Sequence, residues 1–312
     1  MKLHITLLLV LFGFGINSSH AQQDEQLSLY MYNKLQFNPA YAGSRDAIST
    51  IAIARFQWVG FEGAPSTQWF SIHAPLLQKS LGVGMHLVND QIGKRKRTGG
   101  YLDLSGSIAL NDRSSRLALG VSVGFDNVGF DFSDALVNDP QDPFYGQGQY
   151  SVIEPNLGAG IYFHSDKHYF SLSVPRLLEA SAETLSTVTA PSIVQQLNTR
   201  HFFISGGYIF DLNSVFKLKP TTLVKYTPGA PLTVDANLSL LMYNKLWAGL
   251  MYRFHESMGV NIVYNIKNTI SVGYVYDFPI NGLRNYQTGS HEIFLRYDFT
   301  KSKTAFTSPR YF

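Results

Sequence analysis

The sequence predicts an all-β fold: an antiparallel transmembrane β-barrel of about fourteen strands, behind a cleaved N-terminal signal peptide. Three observations predict it. The 312 residues are 45% hydrophobic but only 15% charged, and mean hydropathy is close to zero. Soluble domains carry roughly 25% charge and helical membrane proteins carry apolar runs of about 20 residues, so the composition fits neither. Second, apolar residues recur with a period of two along nearly the whole chain after residue 46, the spacing of strands with unlike faces. Third, the longest connections between those strands all fall on one parity, with 255–256 as a short exception, as outer-membrane barrels alternate periplasmic turns with longer surface loops.

Residues 1–21 read as a secretory signal. Lys2 supplies the positive n-region and residues 5–16 an apolar h-region. Ser19-His20-Ala21 gives the small-x-small cleavage pattern, with the cut between Ala21 and Gln22. An uncleaved anchor helix is the alternative for this stretch. No later segment has the length and apolarity of a transmembrane helix, so residence in a membrane requires a closed barrel. The absence of Cys removes disulfides, thiolate zinc sites and Cys nucleophiles. A net charge of +3 is too small to argue for nucleic acid.

Residues 22–46 lack strand periodicity. They contain Tyr30-Met31-Tyr32-Asn33 and Phe37-Asn38-Pro39-Ala40-Tyr41-Ala42-Gly43-Ser44. Pro39 biases Asn38 away from helix, and Gly43 accepts a positive φ. The segment reads as an ordered aromatic loop that either folds into the barrel mouth or docks on a periplasmic partner.

The barrel spans 47–299. Its strands are expected near 47–58, 66–74, 80–91, 99–110, 115–126, 154–164, 168–175, 199–211, 214–226, 231–243, 245–254, 257–266, 269–279 and 291–299. Most have about the 9–11 residues a tilted strand needs to cross a bilayer. Met258, Val260, Ile262, Tyr264 and Ile266 share one face, with Gly259, Asn261, Val263 and Asn265 on the other. The polar face suits a wet lumen. An Arg or Lys facing lipid costs about 2–4 kcal/mol at the midplane, which assigns Arg55, Gln57, Lys217, Lys219, Lys225 and Asp235 to the lumen. That set lines a channel, clamps an inserted segment, or is simply a solvated, salt-bridged wall. Phe56, Trp58, Phe61, Trp69, Phe70, Trp247, Tyr252, Tyr274, Tyr276, Tyr297 and Phe299 are candidates for aromatic girdles at the membrane interfaces.

The long connections are 92–98, 127–153, 176–198 and 280–290. Lys94-Arg95-Lys96-Arg97 places a basic run on the first of these. It reads as a grip for lipopolysaccharide phosphates or an acidic partner, or as a solvated loop tip. Asp126, Asp131, Asp134, Asp139 and Asp142 offer oxygens for calcium, but without EF-hand spacing. Phe144 and Tyr145 lie in the same loop, which also reads as a protein-recognition surface. His73 beside Ser71, and His86 near Asn89 and Asp90, are the arguable seeds of a hydrolytic site. His164 and His168 flank a turn. No Gly-x-Ser-x-Gly, His-Glu-x-x-His or P-loop run is present. The residues therefore read as non-enzymatic, without cofactor or metal, and residues 300–312 read as a periplasmic tail.

Several motifs together resemble the PorP/SprF family of Bacteroidota outer-membrane proteins. They are Tyr30-Met31-Tyr32-Asn33, Asn38-Pro39-Ala40-Tyr41-Ala42-Gly43-Ser44, Arg55-Phe56-Gln57-Trp58-Val59-Gly60-Phe61, and Ile72-His73-Ala74-Pro75. Gly63-Ala64-Pro65, Thr67-Gln68, Asn89-Asp90-Gln91-Ile92-Gly93, Gly273-Tyr274-Val275-Tyr276-Asp277-Phe278, Gly289-Ser290-His291-Glu292-Ile293 and Ser308-Pro309-Arg310-Tyr311-Phe312 complete the set. The resemblance implies a single-chain barrel that works with the type IX secretion and gliding-motility apparatus. Its implied partners are a large secreted protein with a C-terminal sorting domain, and other secretion or gliding components. Contacts are expected from Tyr30, Asn33, Asn38, Pro39, Tyr41, Trp58, Phe61, Lys94–Arg97, Phe144 and Tyr145. A passive porin for small solutes is the alternative that the polar lumen allows.

Overall fold

A computed structural model describes residues 25–77, 80–110, 115–133, 149–179, 199–267, 269–299 and 311. The strands are β1 Ile48–Phe56, β2 Ser66–Leu76, β3 Leu81–Ile92, β4 Arg95–Ala109, β5 Arg116–Asp131, β6 Gln149–His164, β7 His168–Val174 and β8 Phe202–Tyr208. They continue with β9 Phe210–Asp211, β10 Phe216–Tyr226, β11 Thr233–Met242, β12 Leu246–Arg253, β13 Ser257–Lys267, β14 Ile270–Pro279 and β15 Ser290–Phe299. Apart from β8 and β9, each pairs antiparallel with its sequence neighbours. β8 and β9 both pair with β10 and form one strand broken at Ile209. The cylinder therefore has fourteen staves, and β1 closes it on β15 from Ile48↔Phe299 to Phe56↔His291. Closure leaves no sheet edge, which a lipid environment requires. No helix among the described residues is long and apolar enough to cross a membrane.

The outward face is apolar. Leu119, Val121, Val123 and Phe125 of β5, and Met258, Val260, Ile262, Tyr264 and Ile266 of β13, are all exposed. The inward residues between them, such as Ser122, Asn261 and Val263, are buried. Phe56, Phe61, Phe70, Tyr252, Phe254, Tyr274, Tyr297 and Phe299 point outward and supply the girdles. Trp69 and Trp247 do not: they are 4% and 5% exposed and face the lumen. Residue parity decides this, because Trp69 and Trp247 sit on the inward set of their strands.

One end of the cylinder carries short connections: 77–80, 110–115, 165–167, 212–215, 243–245 and 268–269. The other end carries the longer ones, with short exceptions. The connection expected at 92–98 is one such exception. Gly93 adopts φ +53 and β4 begins at Arg95, so β3 and β4 meet in a tight turn. β5 and β6 likewise run further into 127–153 than their periodicity announces, pairing from Arg116↔His164 to Asp131↔Gln149. Sixteen-residue strands exceed the roughly 9–11 that span a bilayer, so this hairpin stands above the membrane at the loop end.

Candidate functional site

The lumen is filled by the chain's own residues 25–46, rather than being the wet space expected from its polar wall. The segment enters at the loop end and leaves at the turn end, where Ile48 starts β1. It has no regular helix or strand, only 3-10 turns at Lys34–Gln36 and Pro39–Tyr41. Leu27, Leu29, Tyr30, Met31, Tyr32 and Phe37 pack with Ile51, Ile53, Trp69, Val88, Phe203, Leu223, Trp247, Val263, Val275 and Phe294 of the wall. Burying each such side chain contributes about 1.5–3 kcal/mol relative to exposure.

At the loop end the strap is held by charge. Glu292 of β15 accepts the Ser28 and Leu29 backbone N–H groups at 2.7 and 2.9 Å. The Ser28 hydroxyl donates to Asp277 at 2.6 Å. Arg55 bridges the cluster, reaching Asp277 at 2.8 Å and Glu292 at 3.0 Å. Beside it, Asp235 takes two bonds from Arg253, at 2.9 and 3.1 Å, and one from Gln26 at 2.7 Å. Glu25 meets Arg97 at 2.5 Å, and Arg97 also pairs with Asp126 at 2.8 Å. A small cavity of about 30 Å³ lies here, touched by Glu25, Gln26, Tyr30, Arg97 and Lys225.

At the turn end the grip is closer and mostly neutral. Asn38 caps the second 3-10 turn by accepting the Ala40 N–H at 2.9 Å, while its amide donates to the Ile161 carbonyl at 2.9 Å and Ser171 at 2.7 Å. The wall facing Pro39-Ala40 is Gly120, and the wall facing Asn38 is Gly160. A Cβ at either would overlap the strap. Ser105 donates to the Ala42 carbonyl at 2.7 Å, and Gly43 N–H donates to His73 Nδ1 at 3.1 Å. Arg45 closes the sequence with Asp298 at 2.8 Å. Between the ends, Lys34 donates to the Met31 carbonyl at 2.8 Å, with its ammonium 4.5 Å from the Tyr169 ring centre.

The candidate residues separate accordingly. Tyr30, Asn33, Asn38, Pro39 and Tyr41 are buried inside the barrel. Arg55, Lys219, Lys225 and Asp235 are buried in the lumen. Lys217 sits at the turn-end rim, bonded to Asp211. Gln57 lies just past β1, half-buried, with its N–H on the Pro65 carbonyl. Trp58 follows at φ +48, its N–H donating to Ser290 at 3.1 Å, and Phe61 is exposed. Ala21, Gln22, Phe144 and Tyr145 lie outside the described residues. The basic run is divided by strand alternation. Lys94 and Lys96 face out, Arg95 is half-buried and Arg97 points into the lumen.

The proposed calcium oxygens do not converge among the described residues. Asp126 is taken by Arg97 and by the Tyr101 hydroxyl, and Asp131 by Ser133 and Gln149. Asp134, Asp139 and Asp142 are outside the described residues, and no set of three metal-ligating side chains occurs within them. The histidines serve structure. His86 bonds Asp103, not Asn89 or Asp90, and its ring lies between Trp69 and Tyr101, each 4.9 Å away. His73 receives a strap N–H and an edge contact from Tyr41. Among the described residues no hydroxyl bonds either ring, so neither forms the nucleophile–base pair that hydrolysis needs. Sequence reasoning met Glu292 only within the motif Gly289-Ser290-His291-Glu292-Ile293 and gave it no role. The apolar side chains on the inward face, such as Val263, Val275 and Phe294, were the available signal for a filled lumen.

Similar folds occur in solved barrels of low identity. The outer membrane protein Omp33 of Acinetobacter baumannii is 8% identical, with a TM-score of 0.45, covering 81% of this chain and 99% of that one. BamA from Haemophilus ducreyi lacking POTRA domains 1–3 is 10% identical, with a TM-score of 0.43, covering 82% and 71%. The KdgM porin is 9% identical, with a TM-score of 0.40, covering 81% and 100%. Comparison with curated proteins gives no match. Residues 19–297 match the family described as type IX secretion system membrane protein PorP/SprF. The closed barrel is thus an outer-membrane protein, and the chain belongs to the PorP/SprF family of type IX secretion system membrane proteins.

Proposed function

We propose that this barrel is a recognition and anchoring component: it binds, helps to export or holds at the cell surface a secreted protein with a C-terminal sorting domain. Family membership supports a structural or transport role alongside other secretion components. The observation that carries the finer reading is the strap. A lumen packed along its length and clamped at both mouths leaves the rims and loops as binding surfaces. In the proposed orientation the loop end faces the surface and the turn end the periplasm, following loop length. Residues 1–21 would be removed on export. The exposed Phe61 and half-buried Trp58 at the loop end, together with Phe144 and Tyr145 in the sequence between β5 and β6, are the proposed cargo contacts. Outward Lys94 and Lys96 suit lipopolysaccharide phosphates. The strap counts against a passive porin.

Crosslinking in native membranes followed by purification through this barrel tests the reading. A large secreted protein or a secretion component should co-purify, and Phe61→Ala should weaken its recovery. Recovery of neither overturns the proposal. Planar-bilayer recording tests the alternative, with a silent barrel expected and steady open-channel conductance favouring the porin.

A further inference from the structure

The turn-end mouth holds a second piece of the chain. β15 ends at this mouth, yet Tyr311 is seated across the barrel against β10 and β12. Its carbonyl accepts a bond from Lys219 Nζ at 3.3 Å. Its ring meets Trp247 edge-on at 6.2 Å and 81°, and the Lys217 ammonium stands 5.4 Å from its centre. Twelve residue steps separate Phe299 from Tyr311, and an extended chain reaches about 3.3–3.6 Å per step.

The seat is built by residues of the barrel and the strap. Lys219 is fully buried, held 4.3 Å from the Trp247 ring and 4.4 Å from the Tyr32 ring. Such contacts fix an ammonium by attraction to the ring faces. Among the described residues Lys219 forms no ion pair, and its ammonium donates to the Tyr311 carbonyl. An ammonium carries three donors and no acceptor, so this position demands an incoming oxygen. Lys217 is oriented by Asp211, which also binds Lys167 from the neighbouring turn. The rim therefore offers a buried donor for one backbone carbonyl, beside a cation and an indole edge for one aromatic ring. Together these specify an aromatic residue within a peptide segment.

We propose that Lys217, Lys219 and Trp247 form a binding site for an aromatic residue of a peptide, occupied in cis by Tyr311. Tethering gives Tyr311 a high effective concentration, so it serves as a latch that a stronger aromatic segment displaces. The site is independent of which secreted protein the barrel serves.

A labelled peptide of residues 306–312 tests this on the full chain in detergent micelles, read by fluorescence anisotropy. The Tyr311→Ala barrel should bind it saturably, and the wild-type barrel at least tenfold more weakly, because Tyr311 competes. Lys219→Met in the Tyr311→Ala background, or Ala in place of tyrosine in the peptide, should also cost tenfold or more. Heat-modifiable gel mobility confirms that each variant is a folded barrel. Should Lys219→Met fail that check, Lys217→Met, on the rim and partly exposed, replaces it. Equal binding by wild type and Tyr311→Ala, indifference to the peptide's tyrosine, or no saturable binding overturns the proposal. The assay contains no secretion partner, so its failure leaves the reading above standing.

Discussion

Glu292 holds Ser28 by its backbone: the carboxylate of a barrel strand accepts the N–H of a residue threaded through the lumen, at 2.7 Å. The same carboxylate takes the next N–H, from Leu29, and a guanidinium bond from Arg55. Strap backbone and buried cation thereby meet at one carboxylate. Removing one partner of such a buried pair costs about 3–5 kcal/mol, because the other charge stays buried.

Glu292→Ala is therefore expected to lower the barrel's urea midpoint and free the loop-end half of the strap. In planar bilayers the variant should show transient conductance where the wild type is silent. A variant as stable and as silent as wild type would mean that the packed aromatics, not this clamp, keep the strap in place.

The turn-end grip makes a second prediction through shape. Gly120 and Gly160 leave room for Ala40 and Asn38, and a Cβ at either would overlap them. Gly120→Val and Gly160→Val should expel this part of the strap and reduce the folded fraction on heat-modifiable gels. Gly206→Val is the control, because a Cβ there meets only the Tyr169 carbonyl, at 3.6 Å, and should behave as wild type. Overpacking costs typically about 1–3 kcal/mol, so an unchanged Gly160→Val midpoint would show that the strap moves aside freely.

Asn38→Ala probes the same contact without adding bulk. It removes the cap on Ala40 and the bonds to Ile161 and Ser171. Loss of an N-cap costs about 0.5–2 kcal/mol, and the Ile161–Ser171 bonds should bring the total to the upper end of that range. The readout is the shift in urea midpoint at unchanged slope. A shift smaller than that of an exposed substitution such as Lys96→Ala would remove Asn38 from the grip.

Much of the barrel was legible because lipid imposes one rule on every strand. Met258 through Ile266 must alternate with polar or small residues, whatever else the protein does. The strap was less legible because water and a packed segment ask similar things of a lumen wall. Ser171, Asn261 and Asp277 face inward in either case. What distinguishes them is apolar bulk on the inward face. Trp69, Trp247, Val263, Val275 and Phe294 have no reason to face water, and each packs in the buried core that includes the strap. The clamp partners were hidden for a different reason. Ser28 and Glu292 are 264 residues apart, and no local pattern links them. The basic run at 94–97 misled because four like charges read as a loop, whereas period-two alternation sends Lys96 and Arg97 to opposite faces.

That division supplies the last prediction. Arg97 is 3% exposed and ties Glu25 to Asp126, itself fully buried. Arg97→Ala leaves two carboxylates near each other without their shared cation, so its cost should approach the 3–5 kcal/mol of a broken buried pair. Lys94→Ala and Lys96→Ala remove exposed charges and should stay within about 0.5 kcal/mol of wild type. Binding to vesicles containing lipopolysaccharide should reverse the ranking. The lysine variants should lose salt-sensitive affinity, since exposed charges act through screened attraction. Arg97→Ala, where it folds, should retain that affinity. Equal effects of all three substitutions on stability would contradict the alternation of faces on which the assignment of this strand rests.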